Sequence, residues 1–508
     1  MLNAEVTPSR LTRPLVSALL ALGATACGGG IGVTQFLAFE APVVALTHVR
    51  LIDGSGGPAK DDQAVIIEGE RITAVGPTGQ VTVPPGARVL DLSGRTVLPG
   101  LVGMHDHLFY QMGSNAAVRA PASFAMLYLA SGVTTIRTAG AIDLESDLRI
   151  KRLIDAGRQP GPTVHVSSPY LHGNAEAPDP ERSARQVATW ADQGATSFKA
   201  YESLRREELD AAIRAAHERG LKVTGHLCAV GFQEAIGLGI DNLEHGLLVD
   251  TEFYSGKQPD QCPAQSATLG ELQSLDIASP AVRQLISALV RRGVAVTSTL
   301  AIFETFTAHA QLDPRSLDVL VPRLQDIYRV EQAKRADPNA PGAAAWGRLL
   351  RKEMEFERAF FAAGGRLLAG VDPTGWGGVV AGFGNQRQVE LLVAAGLRPE
   401  EAIRVASAHG AYFLEDGLIG LFKAGLQADL FVVNGNPAAN ISDIRKVEVV
   451  FRKGLAYDPA KLIAATQGTV GRFDISIYTR SRWLWLAAVF LAIIIARRLR
   501  RRFGSLPE

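Results

Sequence analysis

Six side chains in the middle of the chain can do metal chemistry, and each falls at the end of a strand-like stretch. His105 and His107 close LPGLVGMHDH, Lys199 closes SFK, His226 closes VTGH, His245 closes NLEH and Asp372 closes LAGVD. Residues two apart on a strand point the same way, so His105 and His107 can reach one point. Imidazole and carboxylate are ligands for zinc and similar divalent ions. Each of the six alone has an ordinary reading: a core histidine, a capping aspartate, a lysine at the mouth of a cavity. Their recurrence at successive strand ends points to a metal site, because α/β barrels build their sites at the carboxyl ends of the strands.

The elements that must position these residues alternate. TVLPGLVGMHDH, GVTTIRTAG, PTVHVSSPY, TSFKAY, LKVTGHL, DNLEHG, VAVTSTL and RLLAGVD read as strands. Helical stretches lie between several of them, such as Arg205 to Arg219, where Leu209, Ala212, Ile213 and Ala216 recur at helical spacing. The expected fold is α/β, a (β/α)8 TIM barrel over residues 98–412. A longer, charge-rich helical insertion follows the seventh strand, from about Leu317 to Ala363. Short β-like runs at both ends of this region predict a small β-sandwich assembled from residues 40–97 and 413–460.

The 508 residues carry 52 basic and 51 acidic side chains, a net charge of +1 that gives no drive toward nucleic acid. A hydrophobic content of 47% excludes wholesale disorder. Three cysteines are too few for a disulfide scaffold, and the sequence leaves open whether Cys228 and Cys262 pair. Arg10 and Arg13, an apolar run and small residues before Cys27 predict a signal peptide or lipoprotein signal over residues 1–27. Residues 477–496, with the apolar run Trp483 to Ala496, predict a C-terminal transmembrane helix, with residues 497–508 as a basic cytoplasmic tail. The alternative is an interfacial helix and a retained N-terminus. The expected arrangement is a membrane-anchored chain whose catalytic domain is extracytoplasmic, on the periplasmic side, above a short stalk from about Ala460.

The text LPGLVGMHDHLF, GVTTIR, SFKAY, VTGHL, NLEHG and AGVDPTGWGG resembles the amidohydrolase superfamily, near its imidazolonepropionase-like and prolidase-like members. The late segment GLFKAGLQADLFVVNGNP is similar to that family's closing β-segment. The resemblance covers roughly Ala45 to Tyr457. It implies two divalent metal ions, with zinc the expected identity. His105, His107 and Asp372 would hold one and His226 and His245 the other, with Lys199 bridging them as a carbamate. A free ammonium has no lone pair for a metal, but a lysine held among cations is pushed toward the neutral amine, which reacts with carbon dioxide. The competing reading of Lys199 is an ion pair with Glu202.

These ligands imply hydrolysis of an amide, cyclic amide or dipeptide C–N bond by a metal-bridging hydroxide, with Asp372 moving the proton. Three further residues are candidates for contact with a small-molecule amide: His172, Tyr201 and Arg137, the last pairing with a substrate carboxylate. The loop from Pro373 to Gly378 departs from relatives that have a His beyond the Asp. His48, His165, His217, His309 and His409 read as structural or surface residues. Two alternatives remain: a mononuclear deaminase or imidazolone-type ring-opening hydrolase, and a non-catalytic membrane-anchored binding protein. Homo-oligomerisation stays open.

Overall fold

The computed structural model describes residues 32–112, 116–339 and 342–472. The expected signal (1–27), transmembrane helix (477–496) and basic tail (497–508) lie outside the described residues. Among the described residues no helix is long and apolar enough to cross a membrane. That finding corrects the expected membrane-anchored, extracytoplasmic arrangement. The stretch expected as a stalk instead contains the helix Pro459–Thr466, which packs on the helix Pro121–Ala130. Asp458 caps it, its Oδ1 accepting from the Ala460 N–H at 2.9 Å.

The middle of the chain is α/β. Parallel strands Leu101–Asp106, Val133–Thr138, Thr163–His165, Ser167–Leu171, Ser197–Ala200, Lys222–Gly225, Asn242–Glu244, Ala295–Ser298 and Leu367–Ala369 follow one another with helices between most of them. Runs such as VTTIRT are buried at every position, as strands covered on both faces must be. The stretch PTVHVSSPY, expected as one strand, is two. Its first half pairs with Val133–Thr138 and its second half with Ser197–Ala200. At the junction the Ser167 N–H donates to Thr138 Oγ1 (2.8 Å) instead of a backbone carbonyl, which lets the strand change partners. The first and last of these strands also meet. The N–H groups of Val371 and Asp372 both donate to His105 O, at 3.1 and 2.9 Å. Gly370 makes this approach possible: a Cβ there would lie 2.3 Å from His105 Cβ.

The helix Arg206–His217 buries Leu209, Ala212, Ile213 and Ala216, the face its spacing marks out. Full burial of a Leu or Ile side chain contributes ~1.5–3 kcal/mol, so this face alone fixes the helix against the strands. Helices Arg315–Val319, Pro322–Ala336 and Ala343–Ala362 fill the insertion. A nine-stranded sheet draws strands from before residue 100 and after residue 429, joined where Leu430–Asn434 pairs antiparallel with Arg95–Pro99. Its Val44, Leu46, Val65, Ile67, Val97, Val432 and Phe451 form a separate apolar core. Cys228 and Cys262 pair: they form a disulfide with a Cα–Cα distance of 4.8 Å, tying the loop before the helix Gln265–Leu272 to the segment just after His226.

Candidate metal centre

Backbone bonds at the strand ends set the positions of the candidate ligands. The His226 N–H donates to Ala200 O (3.0 Å), His245 N–H to Thr297 O (2.9 Å) and Asp372 N–H to His105 O (2.9 Å). His245 and Asp372 have φ of 67° and 48°, a region that side chains other than glycine rarely adopt. Such strain persists only where surrounding structure enforces it. At His245 the enforcement is visible. Glu353, on the insertion helix Ala343–Ala362, accepts from the Leu247 and Leu248 N–H groups at 3.2 and 2.9 Å. Gly246, between His245 and Leu247, has φ 69°, and a Cβ there would fall 1.9 Å from Glu353 Oε1. The glycine of NLEHG is therefore required.

One ligand atom each from His105, His245 and Asp372 lies within 4.8 Å of the others. This set crosses the division into two ligand groups that the resemblance implies. His107 joins through Asp372, with Nε2 3.3 Å from Asp372 Oδ1. His226 joins through His245, with ring centroids 4.5 Å apart. Asp106, between the two first-strand histidines, points to the other face, where Asn385 Nδ2 donates to it.

The outer partners fix the tautomers. His107 Nδ1 faces Gly140 O at 3.1 Å, and a carbonyl only accepts, so the proton sits on Nδ1. His105 Nδ1 lies 2.8 Å from Glu244 Oε2 and donates to it. Burial pushes the Glu244 carboxyl upward, but Arg137, Lys199 and His105 outweigh it and hold it well below the usual range. Burial, then the Lys199 charge, pushes His105 down to about 4, and the same causes push His226 down to about 3. His105 is therefore neutral at pH 7, with a bare lone pair on Nε2 that stands 3.8 Å from Asp372 Oδ1. Acceptor facing acceptor is unfavourable until a cation lies between them. Lys199 adds a second unsatisfied group: its Nζ is buried without a hydrogen-bond partner, with Glu244 Oε1 at 3.7 Å. The residues present fit a divalent metal site.

Lys199 does not pair with Glu202. That carboxylate sits 3.4 Å from His226 Nε2 instead. Arg137 is not placed to meet a substrate carboxylate. It is among the most buried side chains, its Nε donating to Met104 O (2.9 Å), Nη1 to Thr224 Oγ1 (3.0 Å) and Nη2 to Glu244 Oε1 (2.7 Å). His172 and Tyr201 do lie together at the rim, ring centroids 5.2 Å apart, with Tyr201 5.1 Å from His226. His48 and His217 pair with Asp62 and Asp241 at the surface.

Glu244, which joins His105 to Arg137, is the member of this cluster that the sequence did not single out. Its signal was present: an acid directly before a candidate ligand, on a strand whose neighbours are apolar. Outer partners of metal-ligating histidines orient the ring and raise its basicity. Glu244→Gln is therefore expected to weaken metal binding ~10–100-fold while the fold is kept. A titration with competing chelator, with circular dichroism as the folding control, checks this; unchanged affinity would remove Glu244 from the centre.

Residues 96–260 match the model of the Amidohydrolase family. Imidazolonepropionase of Arthrobacter sp. (strain FB24) is 33% identical over 135 residues, covering 26% of this chain and 32% of that protein. The chain thus spans about a third of the length of the curated relatives it matches. Among solved structures, a Xaa-Pro dipeptidase with bound methionine in the active site superposes with a TM-score of 0.60 at 20% identity, over 82% of this chain and 100% of that one. Phenylurea hydrolase B gives a TM-score of 0.61 at 20% identity, over 84% and 99%. At these identities the structures establish a shared fold.

Proposed function

The chain belongs to the amidohydrolase superfamily, and from that premise we propose that it is a metal-dependent hydrolase cleaving a carbon–nitrogen bond in an amide, cyclic amide or dipeptide. The eight-strand reading of its parallel region is a (β/α)8 barrel over residues 98–412, supported by the hydrogen bonds between its first and last strands. The sheet strands of 40–97 and 413–460 form the second unit. His105, His107 and Asp372 would hold one divalent ion and His226 and His245 another, with Lys199 as a bridging carbamate.

When bound, such ions lower the pKa of a water molecule and polarise the substrate carbonyl. The chain's own residues do the rest. Asp372 accepts the proton of the attacking water and passes it to the leaving nitrogen. Glu244 holds His105 in one tautomer. His172 and Tyr201 contact the substrate at the rim.

The observation that carries this reading is the bare Nε2 of His105 facing the Asp372 carboxylate at 3.8 Å. A one-metal reading draws on the compact set His105, His245 and Asp372. The buried Lys199, whose Nζ has no hydrogen-bond partner, favours two ions, since a single ion needs no bridging ligand. Metal analysis of the purified protein is expected to give about two equivalents per chain, with hydrolysis of members of a panel of N-acyl amines, N-acyl amino acids, dipeptides, lactams and hydantoins. One equivalent would favour the mononuclear alternative. No bound metal and no turnover would leave the non-catalytic one.

A further inference from the structure

His245 lies against a group of aromatic rings that the proposed chemistry does not use. Phe303 is 6.2 Å from the His245 ring, centroid to centroid. Trp346 stacks on Phe303 at 6.3 Å with 20° between the planes, and Phe306 lies 4.7 Å from Trp346. Phe303 belongs to the helix Leu300–Glu304, just after the strand Ala295–Ser298, and Phe306 follows two residues beyond that helix. Trp346 comes from the first turn of the insertion helix Ala343–Ala362. Segments forty residues apart in sequence thus bring their rings to one place beside a candidate ligand. Phe303 is buried, while Phe306 and Trp346 pack against the core with part of each side chain exposed.

A carboxylate stands beside His226: Glu202 is 3.4 Å from its Nε2. Three groups that could have answered a substrate carboxylate are otherwise engaged. Arg137 is buried under the histidines. Lys257 Nζ donates to the carbonyls of Ala229, Gln258 and Gln261. His172 is held toward its neutral form, by burial first and then by the charge of Arg182. Arg182 is the cation whose charge reaches His172.

We propose that Phe303, Phe306 and Trp346 receive an uncharged aromatic group of the substrate, so that the chain prefers neutral N-aryl or N-arylalkyl amides over amides with a free carboxylate beside the scissile bond. This rests on the hydrolytic reading of the centre. The reaction balances as hydrolysis: the C–N bond breaks, water gives its hydroxyl to the acyl carbon and its hydrogen to the nitrogen, and an acid and an arylamine or arylalkylamine leave. An aromatic pair contributes ~0.5–1.5 kcal/mol beyond the area it buries, and a side chain as large as Trp buries much.

The test uses the zinc-loaded full chain and three matched substrates. N-acetylbenzylamine carries the ring alone, N-acetylphenylglycine adds a carboxylate, and N-acetylmethylamine lacks the ring. The expected kcat/KM for N-acetylbenzylamine is about tenfold or more above both others. Trp346→Ala should raise KM for the benzyl substrate about tenfold more than for the methyl one, and Trp346→Phe should recover part of the loss. As a readout independent of turnover, N-acetylbenzylamine added to metal-stripped protein should quench tryptophan fluorescence in the natural chain and less in Trp346→Phe. A preference for N-acetylphenylglycine that Arg182→Ala abolishes would overturn the proposal, as would a Trp346→Ala variant that affects all three substrates equally. If no amide of any kind is hydrolysed, the hydrolytic reading fails, and the fluorescence titration alone decides whether the aromatic wall binds such rings.

Discussion

Asp372→Asn is expected to keep its metal and lose ~10²–10⁴-fold in kcat, the usual value of general acid–base help. The substitution preserves shape and one carbonyl-type oxygen, and it removes the charge and the site that takes a proton. The structure says why the natural carboxylate is ionised. Burial pushes it upward, but positive charge in the cluster of His105, His107 and His245 outweighs burial and holds it well below the usual range; with His105 neutral at pH 7, a bound cation would supply that charge. Thr374 Oγ1 donates to Oδ1 at 2.8 Å and keeps the group from rotating. The side chain is 13% exposed, against 2% for His105 and His107, so it reaches the solvent side of the cluster where a water proton must be collected. Metal content by plasma emission and kcat on a responsive N-acyl substrate check this together. A variant with full metal and near-natural rate would remove Asp372 from proton transfer.

Much of the candidate site was readable because its signals are local. An HxH on a strand needs only the two-residue period. NLEHG and LAGVD mark themselves by where an apolar run stops. The α/β class followed from alternation of the same kind. What was not readable depends on partners far apart in sequence. Arg137 looked like a rim residue in TTIRTAG. On a strand a shift of one position moves a side chain to the other face, and Arg137 points inward to Met104 O and Glu244. Glu244 lies 107 residues from that arginine and 139 from His105, so its role emerges only when all three meet. The insertion read only as helical and rich in charge, yet Glu353 and Glu357 are fully buried, and Glu353 holds the His245 turn. The pairing of Cys228 with Cys262 needed the fold, because a separation of 34 residues neither demands nor forbids it. The membrane arrangement rested on terminal segments alone, and the described residues contain no spanning helix.

Lys199→Ala is expected to lose ~10²–10³-fold in kcat/KM together with part of its metal, and added acetate or propionate should restore part of both. The size follows from removing an anionic ligand whose electrostatic effect is worth several kcal/mol. Burial pushes the Lys199 amine down to about 8, with Arg137 in the same direction and Glu244 pulling against them. That makes the neutral amine more accessible than in a free lysine, and its lone pair forms an N–C bond to carbon dioxide with loss of one proton. The carbamate places anionic oxygens where an ammonium offers only donors. Glu244 does not compete for this role, since its two oxygens are already engaged by His105 and Arg137. In the alanine variant the space is open and a short carboxylate can enter it with the same charge. A purely structural lysine would behave otherwise: its loss would unsettle the core, and acetate would recover nothing. Growth or reconstitution with ¹³C-bicarbonate supplies a readout apart from rate, a carbamate carbon resonance present in the natural protein and absent from Lys199→Ala. A variant with full metal and full rate would sink the idea, and so would a natural protein that carries its metals without any carbamate signal.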